Sequence, residues 1–144
     1  MKTLLKQYFF NGKPLFFVVV ILLFFSCKTD KDTELDGKWI LREVVDADGT
    51  RQKVDTVWYN FQNTLFMYQL YNAADDKYPY IHGLKTKEGD NRFHIKLENS
   101  PVSVGSFLPL TDWEDRERTF TIEKHSHNKL ILNSEGKDYF FDKY

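Results

Sequence analysis

From Gly37 to the C-terminus, hydrophobic positions recur every second residue rather than every 3.6, the period of a half-buried strand. Trp39 and Leu41 alternate with Ile40 and Arg42. Val57, Tyr59 and Phe61 alternate with Trp58, Asn60 and Gln62. Leu65, Met67, Gln69 and Tyr71 alternate with Thr64, Phe66, Tyr68 and Leu70. Turn-forming clusters interrupt the alternation at Asp46–Gly49, Gln62–Asn63, Ala73–Lys77, His125–Asn128 and Ser134–Gly136. Eight strands are predicted, near residues 37–45, 55–61, 64–71, 78–86, 92–98, 117–124, 129–134 and 138–143. No window carries a helical period. The stretch from Asn99 to Asp112, with Pro101, Gly105 and Pro109, reads as a long connection with room for one short strand. Short strands in hairpin order without helices predict an all-β fold, an up-and-down antiparallel β-barrel or a sandwich. A barrel leaves no free edges.

The segment 78–98 suggests a register. With Lys87–Asp90 as a four-residue loop, Leu84 faces Phe93, His82 faces Ile95 and Tyr80 faces Leu97. A slip of one residue would turn one strand's set to the other face. This register puts Tyr80, His82, Leu84, Phe93 and Ile95 inside, and Tyr59, Phe61, Met67 and Tyr71 share the matching parity on earlier strands. These nine residues are the candidate ligand-binding set. They combine apolar surface with hydroxyls and an imidazole that need partners when buried. The same rings can equally fill the lumen of a small barrel.

The first 26 residues differ from the rest. They hold three of the 20 basic residues, none of the 21 acids and six of the 13 Phe. Without them, 17 bases face 21 acids, so the remainder carries a net charge of -4. General nucleic-acid binding needs a basic footprint and is not expected. Leu15–Phe25 is an unbroken apolar run of 11 residues, short of the ~20 that span a bilayer. It matches the hydrophobic region of a signal peptide over 1–26. Ser26 and then Cys27, the single cysteine, follow it. The arrangement resembles a bacterial lipoprotein signal, although Phe24 and Phe25 stand where that signal usually has Leu and a small residue. The resemblance implies lipidation of Cys27, a membrane contact through that lipid and an outer-membrane location. Residues 27–35 then form an anchor and charged tether, and 36–144 form one domain. One cysteine permits no intramolecular disulfide, so the fold must stand on its core.

Gly37-Lys38-Trp39 opens the first strand, eight strands follow, and the chain ends Phe141-Asp-Lys-Tyr144. Together these resemble the small lipocalin-like lipoproteins of Gram-negative bacteria, over residues 36–144. The resemblance implies a barrel of about eight strands whose Trp39 packs across the closed end beneath a late cation. Lys143 is the nearest cation to that role, and Gly37, Trp39 and Lys143 are the fold motif.

No nucleophile elbow, zinc-helix motif or phosphate-cradling glycine loop occurs. His125 and His127 lie at a turn, and His82 and His94 face opposite sides in the favoured register. No metal or cofactor is expected. Asp112–Arg118 mixes both signs and reads as a solvated, self-neutralised surface; Asp75–Asp76 reads as turn chemistry. Two functional readings remain. One is a non-catalytic barrel that binds a small apolar or amphipathic ligand. The other is an envelope protein-interaction or structural module with a barrel filled by side chains, its protein partner unspecified.

Overall fold

A computed structural model describes residues 34–144. The expected signal peptide, Cys27 and all but the last two positions of the expected tether lie outside the described residues. Nine antiparallel strands follow in order: β1 (Gly37–Val45), β2 (Arg51–Lys53), β3 (Val57–Gln62), β4 (Leu65–Leu70), β5 (Tyr80–Lys87), β6 (Arg92–Leu97), β7 (Glu117–His125), β8 (Lys129–Ser134) and β9 (Lys137–Lys143). From β3 to β9 each strand pairs with the next, β1 pairs with β3, and β9 returns to β1. Eight strands thus close a barrel, with the three-residue β2 added along the far half of β1. The sequence pattern does not predict β2, whose Arg51, Gln52 and Lys53 carry no apolar alternation. One helical turn, α1 (Val104–Phe107), followed by a 3-10 turn at Leu108–Leu110, occupies the long connection where a short strand was allowed for.

Turn chemistry sets which face of each strand looks inward. The β3–β4 turn is Asn63–Thr64, one residue later than expected, with Phe61 opposite Phe66 and Gln62 opposite Leu65. Asn63 takes a left-handed φ of 54°, which Asn tolerates, and its N–H donates to the Asp36 carboxylate at 2.7 Å. A two-residue turn inverts parity. Tyr59 and Phe61 point inward on β3, but Phe66, Tyr68 and Leu70 do so on β4, so Met67 lies on the outer wall. The expected inward direction of Met67 is therefore corrected.

The β5–β6 register also differs from the expected one. Gly83 faces Leu97, Lys85 faces Ile95 and Lys87 faces Phe93. Lys87 stays in the strand, and the Glu88 N–H closes the loop onto the Arg92 carbonyl at 2.9 Å. Relative to the expected pairs the shift is odd, so β5 is turned over. Ile81, Gly83 and Lys85 face the core, while Tyr80, His82 and Leu84 are exposed on the outside. A Cβ on Gly83 would lie 2.8 Å from the Lys96 carbonyl oxygen and 3.3 Å from the Phe66 ring. Only glycine lets β5 pass this close, and that fit selects the face.

Two bulges make a similar change within a strand. Between Leu41 and Glu43 the β1–β9 register shifts, and between Ile122 and Lys124 the β7–β8 register shifts. The extra residue moves the inward side from odd to even or the reverse. His125 thereby reaches the Trp39 ring at 5.8 Å, edge to face.

Tyr59 stands in the middle of the core. Its ring lies 4.9–6.5 Å from those of Phe61, Phe66, Tyr68, Trp113, Phe120 and Phe141. Such a ring withdraws on the order of 150–250 Å² from water, worth roughly 4–6 kcal/mol before the entropy of ordering it. Rings meeting edge to face suit their quadrupoles. Around Tyr59 the lumen is filled with side chains.

Candidate functional site

The two ends of the barrel differ. At one end, Gly37 has φ 124°, and a Cβ there would collide with the Lys143 ammonium. The bare glycine lets Lys143 fold back, its Nζ 4.2 Å from the centroid of the Trp39 ring, where it donates to the Asp36 carbonyl. The Trp39 indole N–H donates to the Leu35 carbonyl at 2.8 Å, and Trp39 is wholly buried. Leu35, assigned to the tether from the sequence, is itself buried against the core. Partial burial lowers the Lys143 pKa, against the pull of Asp36.

At the other end, the connection between β6 and β7 folds over the mouth and sends Val104, Phe107 and Trp113 into the core. Beside them is a network of buried polar groups. The Arg118 side chain, on β7, is only 3% exposed. Its guanidinium donates to the Asp112 carboxylate (3.1 Å), the Asp112 carbonyl (2.8 Å), the Tyr139 hydroxyl (2.9 Å) and Glu135 (3.0 Å). The Tyr139 hydroxyl, on β9, donates to the same Asp112 oxygen at 2.6 Å. The Tyr68 hydroxyl, on β4, points at the other Asp112 oxygen at 3.5 Å. The Trp113 indole N–H donates to the Tyr59 hydroxyl at 2.9 Å, and the Arg118 guanidinium lies 5.1 Å over the Trp113 ring.

The electrostatics follow from this packing. Burial, then the nearby Tyr68 and Asp112, push the Tyr59 pKa well above its ordinary value of 10.0. Burial and then Asp112 do the same to Tyr68, and also raise Tyr139. Burial disfavours the Arg118 charge, but Asp112, Tyr139 and Tyr59 outweigh it, and its pKa stands above the ordinary value. The three phenols are therefore neutral and the guanidinium a fixed cation at any physiological pH.

The nine candidate residues are divided by the wall. Tyr59, Phe61, Phe93 and Ile95 are buried inside. Met67 is half-buried on the outer wall, and Tyr80, His82 and Leu84 are exposed there. Tyr71, just past β4, is half-buried, donates to Asp76 at 3.0 Å and lies 5.0 Å from the Tyr78 ring. The nine do not form one pocket. Phe61, Met67 and His82 do line an open groove of about 520 Å³ that runs from Asp36–Lys38 past the β3–β4 turn.

Sequence reasoning missed Arg118, Asp112 and Trp113 by treating 112–118 as solvated, and with them their partner Tyr139 on β9. A signal was present. Phe120 and Ile122 give β7 an even inward parity, and Arg118 lies on that parity. Among the described residues no three His, Cys, Asp or Glu side chains are grouped to hold a metal ion.

A family model described as a lipocalin-like domain matches residues 21–144. The chain belongs to the lipocalin-like family. Solved structures agree with this assignment. A lipocalin-like protein from Bacteroides uniformis is 32% identical, with 77% of this chain and 99% of that chain covered and a TM-score of 0.69. An uncharacterized protein from Bacteroides eggerthii is 34% identical, with 76% and 99% covered and a TM-score of 0.63. No curated protein matches the chain. In this lipocalin-like barrel, Trp39 and Lys143 close one end, and the 99–116 connection closes the other over Arg118.

Proposed function

We propose that this lipocalin-like protein is lipid-anchored in the cell envelope, in the outer membrane, and binds a small apolar or amphipathic molecule without transforming it. One observation carries the binding reading. Arg118, Tyr59, Tyr68 and Tyr139 point polar groups into a largely apolar lumen, and partners for them come from an irregular connection, through Asp112 and Trp113. A core that had only to be stable would bury hydrocarbon there, because each buried polar group needs its own partner. Few convergent polar groups within apolar walls are the usual composition of a small-molecule site. The neutral dye Nile red tests this on the domain 34–144, which the Bacteroides relatives match over almost their whole chains. Saturable one-to-one binding, tightened by Trp113→Ala, is expected. Dye that does not saturate on either protein would refute the reading.

The anchor rests on the basic start, the 11-residue apolar run, Ser26 and Cys27. Fatty-acid labelling of the full chain in cells should mark the native protein and not Cys27→Ala; equal label in both would remove it.

A specific feature favours the second reading, an interaction module. The paired Leu65 and Leu84 on the outer wall are 54% and 46% exposed. Farther along β3, Trp58 Nε1 and Asn60 Nδ2 are buried with no hydrogen-bond partner among the described residues. Leu84→Glu should leave dye binding intact and, on this reading alone, remove a cross-linked species in cells.

A further inference from the structure

The group that Arg118 holds is the carboxylate of Asp112, and the manner of holding resembles ligand recognition. The donors come from three different strands: Arg118 on β7, Tyr139 on β9 and Tyr68 on β4. All three strands are locked in the barrel ladder. The acceptor comes from a segment that is not. Between Pro101 and Asp115 the backbone-to-backbone hydrogen bonds stay within the segment: Ser106 and Phe107 donate to Ser103, and Thr111 donates to Leu108. Its main chain meets the barrel backbone at the two ends, where His82 N–H donates to Ser100 and Leu97 N–H donates to Arg116, and in between the Asp112 carbonyl accepts from the Arg118 side chain. The segment can therefore lift without breaking a ladder. What it would withdraw is the Asp112 carboxylate and carbonyl, the Trp113 indole and the buried Val104 and Phe107 side chains.

From this we infer that Asp112 and Trp113 are a built-in substitute for a ligand, and that the molecule the barrel takes is an apolar or aromatic monocarboxylate. This rests on the small-ligand reading above and names the ligand class for it. The carboxylate of the ligand replaces that of Asp112, accepting from the Arg118 guanidinium and from the Tyr139 and Tyr68 hydroxyls. Its apolar body replaces the Trp113 ring, which lies 5.8 Å from both Tyr68 and Phe120 and 6.2 Å from Phe66. The charge is specified as well. A single guanidinium, shared with Glu135 at the rim, neutralises one negative charge and leaves a dianionic phosphate under-compensated. Both Asp112 oxygens face donors, which suits a two-oxygen head. The Asp112 side chain is 38% exposed, so a ligand's head group can approach the donors from the side where Asp112 meets solvent.

The test compares cis-parinaric acid with its methyl ester, by fluorescence, on the domain 34–144. The ester keeps the apolar body and loses the charge. Asp112→Ala removes the competing carboxylate and should bind the acid at least 10-fold more tightly than the native domain does. In that variant the acid should bind at least 10-fold more tightly than the ester. Tyr139→Phe and Arg118→Lys should narrow the acid-to-ester ratio, and circular dichroism shows that each is folded. Should Arg118→Lys fail to fold, the ratio in Asp112→Ala and Tyr139→Phe decides. Equal binding of acid and ester would overturn the carboxylate assignment while leaving the barrel a ligand binder. No binding of either probe to Asp112→Ala or Trp113→Ala would overturn both.

Discussion

Replacing Arg118 by Met keeps the aliphatic stem of the side chain and removes the cationic head, and its cost can be worked from the surroundings. Truncating one partner of a fully buried ion pair costs ~3–5 kcal/mol, because the other charge is stranded. That upper range does not apply here. The side chains of Asp112 and Glu135 are 38% and 56% exposed and rehydrate when the guanidinium leaves. The loss is concentrated in the two donations that water cannot readily replace, to the buried Tyr139 hydroxyl and to the Asp112 carbonyl. Hydrogen bonds to a charged group are worth ~1.5–3 kcal/mol each. The Met methylenes bury without the desolvation that opposes the Arg charge, which returns part of the loss. A net destabilisation of about 2–3 kcal/mol results. For a domain of about 110 residues this lowers Tm by roughly 8–12 °C, at about 4 °C per kcal/mol. Urea unfolding of the domain 34–144, followed by Trp fluorescence, measures it as a fall in midpoint at unchanged slope. A cycle with Asp112→Ala should show a coupling of about 1–2 kcal/mol, since the two side chains share both each other and Tyr139. A loss under ~1 kcal/mol together with a coupling near zero would refute the reasoning. It would mean that Arg118 reaches solvent and that the network does not close the barrel mouth.

Two further outcomes follow from the same geometry. Trp39→Ala should cost ~3–5 kcal/mol in urea unfolding, since the ring is wholly buried and carries Lys143 on its face; a change below ~1 kcal/mol would place Trp39 outside the core. Tyr59, Tyr68 and Tyr139 have raised folded-state pKa values, so above pH ~10 the unfolded chain releases protons that the folded chain keeps. Stability is unaffected below that pH and should fall as pH rises through it, by up to ~1.4 kcal/mol per unit for each such phenol. Ultraviolet titration of the folded domain should show these three tyrosines ionising only as it unfolds, and early ionisation of all its tyrosines would contradict the packing.

What the chain alone determined is its strand content and its order. Alternation from Trp39 to Phe141, with turn residues between the runs, is a local property, and it was sufficient for eight antiparallel strands in order; the choice of a barrel over a sandwich came with the Gly37-Lys38-Trp39 resemblance. The inward direction of Tyr59, Phe61, Phe93 and Ile95 was also legible, because each sits in a strand whose opposite face is more polar. β5 is the contrary case. Tyr80, His82 and Leu84 are about as apolar as Ile81, Gly83 and Lys85, so the pattern could not choose a face. The close pass of Gly83 over Phe66 and Lys96 chose it, and that contact joins residues far apart in sequence. The two-residue Asn63–Thr64 turn likewise set Met67 outward, because it places even residues of β4 opposite odd residues of β3. The polar site was hidden for a related reason. In sequence, Asp112–Arg118 is a mixed-charge run that water would solvate. Only the return of the connection over the barrel mouth brings Asp112 to Tyr139 and Tyr68 and buries Arg118 among them. Local periodicity reports which residues prefer water, whereas the balance between a buried charge and its distant partners exists only once the barrel has closed.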